Sequence, residues 1–274
     1  MPPTKKRQKT TPARAAGKAP RTAAKAETAL LPSVESLIET LRRAGSAKFR
    51  DQMVNQFGIR LPDQCRAFGV SVAVIEKLAK TTIAPLRKHP DGPAMRHGLA
   101  AELWASGWYD ARMLATFVDV PDWVTARQMD DWCGDFDNWG IVDTACFKLF
   151  DQVEAGLVFR KIDAWAKAKG EFQKRAAFAL LASVALHRRG DVDDGLLAER
   201  LPLIEQAATD ERNFVKKGVS WALRSMGARR PGLRGPVLAV ATRLAESDDS
   251  TSRWIGKDVL RGLRVPGSTR SRAQ

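Results

Sequence analysis

Apolar residues recur at helical spacing along nearly the whole chain, from Leu30 to about Arg264. They fall three and four positions apart, which is the pattern of a helix with one buried face. The clearest runs are Ile141, Val142, Ala145, Cys146, Leu149 and Phe150; Phe172, Ala176, Leu180 and Val184; and Val215, Val219, Ala222, Leu223 and Met226. Glycine and proline separate the runs, and no strand alternation persists. The pattern predicts an all-α chain.

The predicted helices are about 12 to 17 residues long and are joined by short turns, so they form consecutive pairs. Helix pairs in units of about 40 residues are typical of α-solenoids of the HEAT type. Sequence identity between the units is faint. The spacing of the helices, rather than a repeated motif, therefore predicts an α-solenoid of HEAT-like repeats.

The chain is strongly basic. Its 274 residues carry a formal net charge of +14, and the isoelectric point is near 10.1. A protein with such an excess most often binds a polyanion, and nucleic acid is the commonest; an anionic membrane surface is the alternative. On a solenoid we expect this charge to form a concave basic face.

Two terminal segments differ from the rest in composition. Residues 1–28 contain eight Lys or Arg and a single Glu, set mainly among Ala, Pro, Thr and Gly. We predict a disordered basic arm that lies on DNA phosphates, with a solubilising tail or a transit peptide as alternatives. Residues 265–274 are also basic and predict a flexible tail. The folded domain is then 29–264.

Several function classes lack their usual signals. No run of about 18 apolar residues predicts a membrane span. Cys65, Cys133 and Cys146 are isolated from one another, which disfavours a disulfide framework or a zinc site and suits reduced thiols in an intracellular protein. Four aspartates lie close together but lack the order of a calcium loop, so we interpret them as caps in a turn. They are Asp130, Asp131, Asp135 and Asp137. We expect no metal and no cofactor.

A tryptophan and an aspartate form the first candidate site. Trp139 and Asp143 are four residues apart, so they project from one face of a helix, for which Asp137 is a plausible N-cap. A carboxylate beside an indole could stabilise the oxocarbenium-like sugar of glycosidic cleavage. A core tryptophan with a first-turn aspartate is the alternative, and on spacing alone it is the commoner arrangement. Most of the eight tryptophans are expected in the core.

Basic residues on two later helices extend the candidate site. Arg175 would keep Asp143 ionised and contact a phosphate if it faces that carboxylate; a solvated arginine is the alternative. Lys217, Trp221 and Arg224 lie at i, i+4 and i+7, a basic stripe with an aromatic centre that suits a nucleic-acid backbone. A solvated face around a buried Trp is equally compatible. We assign DNA contacts to Lys174, Lys216, Lys217 and Arg224.

Six segments together resemble the DNA alkylation repair family, the AlkD-like glycosylases built from HEAT-like repeats. They are MVNQFGI (53–59), AFGVSVAVIEKLAK (67–80), ELWASGWYDARMLA (102–115), DNWGIVD (137–143), KRAAFALL (174–181) and FVKKGVSWALRSMG (214–227). Each is weak alone, but their order and separations are fairly specific. The resemblance covers residues from about 33 to 264.

The resemblance implies a function and a site. Asp143 is similar to the family's catalytic carboxylate, Trp139 and Trp221 to the indoles that line the lesion, and Arg175 to the arginine beside them. It implies a monofunctional, monomeric DNA glycosylase, acting in the cytoplasm or nucleoid, that binds duplex DNA and releases cationic N3- or N7-alkylated purines. The family holds the lesion through the backbone, so no large cavity is expected at Asp143.

Two alternatives remain open. The family pattern has an acidic residue where this chain has Gly140, which favours a non-catalytic HEAT-repeat protein that binds damaged or branched DNA. A protein scaffold is the other, because HEAT folds suit that role, although the basic charge disfavours it.

Overall fold

The computed structural model describes residues 32–59 and 66–263. The predicted basic arm (1–28) and the predicted tail (265–274) lie outside these residues. Every regular element in the described ranges is helical, which confirms the all-α prediction. The α-helices are α1 Val34–Ala44, α2 Ala47–Asn55, α3 Val72–Ile83, α4 Gly92–Ala105, α5 Tyr109–Val118, α6 Ala126–Gly134, α7 Trp139–Lys148, α8 Ala155–Trp165, α9 Glu171–His187, α10 Asp194–Ala198, α11 Leu201–Ala207, α12 Asn213–Arg229, α13 Arg234–Ala245 and α14 Ser250–Leu263.

The helices pack mainly against helices that follow them closely in the chain, as in a solenoid. The most extensive packing joins α9 to α12, followed by α13 to α14, α4 to α5 and α7 to α9. Helix α9 is buried on almost every side, from Arg175 to Ala185, which its run of alanine, leucine and valine allows. It therefore forms the centre of the C-terminal half and fixes α7 and α12 relative to each other.

Helix α7 begins where the sequence predicts, but with a different cap. The buried Asn138 is the N-cap residue, and its side-chain oxygen accepts a hydrogen bond from the Ile141 amide at 3.1 Å. The expectation that Asp137 caps the helix is wrong. Asp137 instead accepts a hydrogen bond of 2.6 Å from the Asn138 side chain, and so orients the cap.

The acidic residues join helices, and one of them also caps a helix end. Asp130 lies within α6 and accepts hydrogen bonds from Lys161, at 2.5 Å, and from Trp165. Asp135 accepts from the Trp104 indole at 2.8 Å. The interpretation as turn caps is therefore wrong for Asp130, which lies inside the helix, whereas Asp135 is the C-cap residue of α6. Among the described residues no group of three or more His, Cys, Asp or Glu is placed to hold a metal ion.

Fewer tryptophans are buried than expected. Trp104, Trp132 and Trp165 are buried, and the first two stack on each other with ring centroids 4.0 Å apart. Trp123 and Trp254 are exposed. Across the part of the chain that the structure describes, no helix is long and apolar enough to cross a membrane.

Candidate DNA-binding and catalytic cleft

An open cleft of about 530 Å³ is formed by side chains from α7, α9, α12 and α14, together with Phe57, which follows α2. Six of the predicted site residues line it: Trp139, Asp143, Arg175, Lys217, Trp221 and Arg224. The expectation that Asp143 has no sizeable cavity beside it is wrong. The cleft is nevertheless open to solvent, as a site for a large molecule must be.

Asp143 and Arg175 form a bidentate ion pair at the base of the cleft. The Arg175 Nε donates to one carboxylate oxygen at 3.0 Å and Nη2 to the other at 2.7 Å, while Nη1 donates to the Phe214 carbonyl at 2.9 Å. The side chain of Arg175 is 8% exposed and that of Asp143 is 19% exposed. Arg175 thus lies beneath Asp143 and fixes its orientation.

The charge state of Asp143 reflects two opposing effects. Burial raises the pKa of the Asp143 carboxyl above its usual range, and the Arg175 guanidinium acts against that rise by its charge and its hydrogen bond. Without Arg175, a carboxylate at this depth would be protonated more easily. The pair therefore allows a partly buried anion to face the cleft.

Trp139 is held in position at the start of α7. Its indole Nε1 donates to the Phe57 carbonyl at 3.0 Å, across 82 residues of sequence. The ring is half-buried and packs on the core. Because the indole N–H is hydrogen-bonded to the Phe57 carbonyl, the ring is fixed in orientation and forms an apolar surface next to Asp143.

Trp221 lies on α12. It stacks on Phe147 with ring centroids 4.8 Å apart and an interplanar angle of 3°. The stack covers one face of the indole, and Trp221 still lines the cleft. Phe147 also contacts His187 edge-on, with ring centroids 5.4 Å apart.

These observations can be compared with known proteins. The family model for DNA alkylation repair enzymes matches residues 37–253. The chain belongs to the DNA alkylation repair enzyme family. No curated protein matches the sequence. A solved structure is similar, from a family of proteins related to the HEAT-like repeat DNA glycosylases and with affinity for branched DNA structures. It superposes with a TM-score of 0.65 at 16% identity, covering 85% of this chain and 96% of that one. This likeness confirms the HEAT-like solenoid.

The predicted basic residues of this family member fall into two groups. Lys217 and Arg224 line the cleft, and the Lys216 ammonium lies 5.1 Å from the centre of the Trp254 ring. Lys174 does not line the cleft. It lies 3.0 Å from Asp210 and is 19% exposed. Its charge is shared with a carboxylate rather than directed at the cleft.

The structure adds lining residues that the sequence pattern did not indicate. Trp254 and Asp258 come from α14, and Asp258 accepts hydrogen bonds from Ser220, Arg224 and Arg261. Burial tends to raise the pKa of Asp258, but these three donors hold it below the usual range. Both cleft residues lie beyond the family match, which ends at residue 253. Trp254, Asp258 and Arg261 lie at i, i+4 and i+7, the same spacing as the stripe on α12. This spacing was the sequence signal that could have indicated a second helix face on the cleft.

Gly140, where the family pattern has an acidic residue, has little free space around its Cα. A Cβ added there would lie 2.6 Å from the Tyr109 hydroxyl oxygen and 3.2 Å from Ile59 Cδ1. Beside it is a smaller apolar pocket of about 190 Å³, which shares Phe57, Trp139 and Asp143 with the main cleft. In this family member Tyr109 fills part of the space that a side chain at position 140 would need.

Proposed function

We propose that this protein is a monofunctional DNA glycosylase that hydrolyses the N-glycosidic bond of cationic N3- and N7-alkylated purines in duplex DNA. One observation carries the proposal: the Asp143–Arg175 pair lies at the base of an open cleft that is lined by indoles and by the basic side chains of Lys217 and Arg224. Membership of the DNA alkylation repair enzyme family supports it. The chain is proposed to act as a monomer and without a cofactor.

The proposed chemistry needs little acid catalysis. An alkylated purine already carries positive charge, so the C1′–N bond breaks with its electron pair leaving on a base that becomes neutral. The sugar is left as an oxocarbenium-like cation, which the Asp143 carboxylate stabilises. Water adds to C1′ and releases a proton, and an abasic site remains. A half-buried, preoriented anion is suited to this role because it is not fully screened by solvent.

Arg175 is proposed as a positioning residue for Asp143. Both terminal nitrogens and Nε donate to protein oxygens, so the guanidinium is committed to Asp143 and Phe214. A direct phosphate contact, expected from the sequence, would use only its remaining hydrogens. We propose that it acts mainly through the carboxylate.

Phosphate binding is proposed for the basic residues of the cleft. Lys217 is exposed, and Arg224 is partly exposed while bound to Asp258. Lys216 lies beside them, next to Trp254. Lys174 is proposed to contribute less than Lys217, because Asp210 neutralises part of its charge.

A second candidate function is non-catalytic binding of branched or damaged DNA. Gly140 favours it, because the acidic residue of the family pattern is missing beside the proposed catalytic pair. The similar solved protein has affinity for branched DNA structures. On this alternative the basic cleft would be retained for binding, and Asp143 would only stabilise the fold.

Base release tests the two candidates. The protein is incubated at saturating concentration with a duplex that contains one N7-methylguanine, and the abasic site is measured in a single turnover against the unmethylated duplex. Asp143→Asn keeps the shape of the side chain and removes its charge. We expect a loss of about 10²–10³ in rate, the usual effect of removing one preorganised electrostatic contact.

A matched control is Asp137→Asn, a nearby aspartate that orients the cap of α7 and does not line the cleft. It should release base at a rate near that of the wild type. Because Asp143 is paired with a buried arginine, Asp143→Asn should also have a lower melting temperature than the wild type. The rates are therefore compared at a temperature well below the melting temperature of the variant. Equal rates for wild type and Asp143→Asn would remove Asp143 from the mechanism. No release by either would support the binding function.

A further inference from the structure

An exposed indole stands at the edge of the cleft where no sequence motif predicted one. The Trp254 residue is 39% exposed. The described residues include five exposed large hydrophobic side chains, and two of them, Phe57 and Trp254, line this one cleft. Single exposed apolar residues are common, but two exposed rings on one basic cleft are informative, because clustered exposed apolar surface often marks a binding site.

A lysine holds the indole in position. The Lys216 ammonium lies 5.1 Å from the centre of the Trp254 ring, within the range of a cation–π interaction. This places a positive charge next to a flat apolar surface. Proteins that bind unpaired nucleotides combine aromatic rings with nearby cations. Because the ammonium lies over one face of the Trp254 ring, a base would stack on the other face while the adjacent phosphate meets the cation.

The helix that carries Trp254 is firmly attached to the cleft. One turn further along α14, Asp258 accepts hydrogen bonds from Ser220 and Arg224 of α12, and from Arg261 of its own helix. Helices α12 and α14 also pack closely against each other. The ring is therefore presented from a rigid element, which lowers the entropy lost on binding.

We propose that Trp254 is a nucleotide-stacking residue that binds an unpaired base of DNA, with Lys216 at the neighbouring phosphate. The ligand class is an unpaired nucleotide in, or at the end of, a duplex. The inference rests on the proposed binding of DNA in this cleft, but not on base excision. It gives the protein a preference for DNA in which a base has already left the stack.

The test uses binding rather than excision, so a failure of the proposed chemistry does not affect it. The full chain is titrated against a labelled duplex with one unpaired nucleotide and against the continuous duplex of the same sequence. Trp254→Ala should weaken binding of the first about 5- to 150-fold, the effect of losing one stacked base. Binding of the continuous duplex should change much less.

Two further variants separate stacking from other roles. Trp254→Phe should recover most of the lost selectivity, since it keeps an aromatic face, whereas Trp254→Leu, which is apolar but not aromatic, should not. The dependence of DNA affinity on salt should stay the same in all three Trp254 variants, because none of them loses a phosphate contact. Lys216→Ala should reduce the slope of log affinity against log salt concentration by about one, because one such contact is lost.

Trp123→Ala is the matched control, because Trp123 is also exposed but does not line the cleft. It should leave both affinities unchanged. An equal loss on both duplexes, or a full recovery with leucine, would overturn the proposal and assign Trp254 to general packing of DNA. No change in any DNA affinity, together with concentration-dependent self-association that Trp254→Ala abolishes, would assign the indole to a contact between two copies of the chain.

Discussion

At the residue scale, the pairing of Asp143 with Arg175 controls when the carboxylate is charged. Burial raises the Asp143 pKa above 3.8, its usual value, and Arg175 limits the rise. Excision should therefore fall as the pH drops through this raised pKa, because the protonated form offers no counter-charge. Arg175→Gln removes the opposing charge and raises the pKa of Asp143 further. The acid limb of the pH profile, the range in which excision falls with pH, should therefore move to higher pH.

Single-turnover release of 7-methylguanine from pH 4 to pH 8 measures this limb. The spontaneous loss of base at each pH is subtracted. In Asp143→Asn the limb should be absent. An acid limb at the same pH in wild type and Arg175→Gln would show that another group is titrating.

The contact between Gly140 and Tyr109 gives a second prediction at this scale. A Cβ at position 140 would lie 2.6 Å from the tyrosine hydroxyl, so Gly140→Ala should lower the free energy of unfolding by about 1–3 kcal/mol. In the background of Tyr109→Phe, which lacks the hydroxyl, the loss should be smaller. Chemical denaturation of the four variants of this cycle measures the coupling.

Gly98→Ala is the control for the backbone effect. Gly98 is an exposed residue inside α4, and nothing lies within 4 Å of a Cβ added there. This substitution should stabilise the protein by about 0.5–1 kcal/mol. If Gly140→Ala stabilised to the same extent, Tyr109 would not be the reason for glycine at this position.

The residues of the site could be predicted only in part. Trp139 and Asp143 share one helix turn, so their proximity follows from helix geometry. The pairing of Asp143 with Arg175 depends on how α7 and α9 pack. From the sequence we could say only what Arg175 would do if it faced Asp143, and the structure shows that it does. Trp254 was missed because an isolated tryptophan is more often buried, and only tertiary packing places it on the cleft.

At the scale of elements, the position of Trp221 predicts that its substitution affects excision more than stability. The indole of α12 stacks on Phe147 but also lines the cleft. Trp221→Ala should reduce excision strongly and lower stability modestly, by about 0.5–1.5 kcal/mol for the lost ring pair and somewhat more for burial. Trp104→Ala, at a buried tryptophan stacked on Trp132, should cost about 3–5 kcal/mol. Equal costs would make Trp221 a core residue.

An ion cluster connects the starts of α9 and α12 and predicts a dependence of stability on pH. Hydrogen bonds from Arg212, and also Lys174, lower the pKa of Asp210 from 3.8 to about 2. The folded state binds this proton less readily than the unfolded state. The stabilisation is therefore fully present above the unfolded pKa and is lost as the pH falls from about 4 to about 2.

Asp210→Asn should remove this contribution, on the order of 1–2 kcal/mol after allowance for solvent screening. Thermal unfolding of both proteins between pH 2 and pH 7 measures it. The two melting temperatures should differ most at neutral pH and approach each other near pH 2. A constant difference would show that the pKa of Asp210 is not lowered on folding.

The helices themselves were the most predictable feature, because periodic apolar residues specify them locally. The runs that begin at Ile141 and Val215 are buried in α7 and α12 as the spacing indicates. The caps were less predictable, because Asn138 and Asp137 are adjacent and both residue types can cap a helix; the structure has Asn138 as the N-cap. Asp130 of α6 was misjudged because its hydrogen-bond partners, Lys161 and Trp165, lie on another helix.

At the scale of the whole molecule, the net charge of +14 predicts steep salt dependence of DNA binding. Affinity should fall by about 0.9 log units per log unit of salt for each phosphate neutralised. Removal of residues 1–27, which carry a large share of the positive charge, should reduce the slope and leave the preference for alkylated DNA unchanged. Titrations at several salt concentrations measure both quantities. An unchanged slope would mean that this segment makes no phosphate contacts.

The cleft draws on distant parts of the described chain, since Phe57 follows α2 and Asp258 lies on α14. The helices, in contrast, pack mainly on near neighbours, so a growing polypeptide can acquire structure stepwise as it leaves the ribosome. The cleft is complete only once α14 has emerged. A chain that ended before α14 would lack Trp254 and Asp258, so the proposed stacking of an unpaired base would be lost, and the faces of α12 and α13 that α14 covers would be exposed to water.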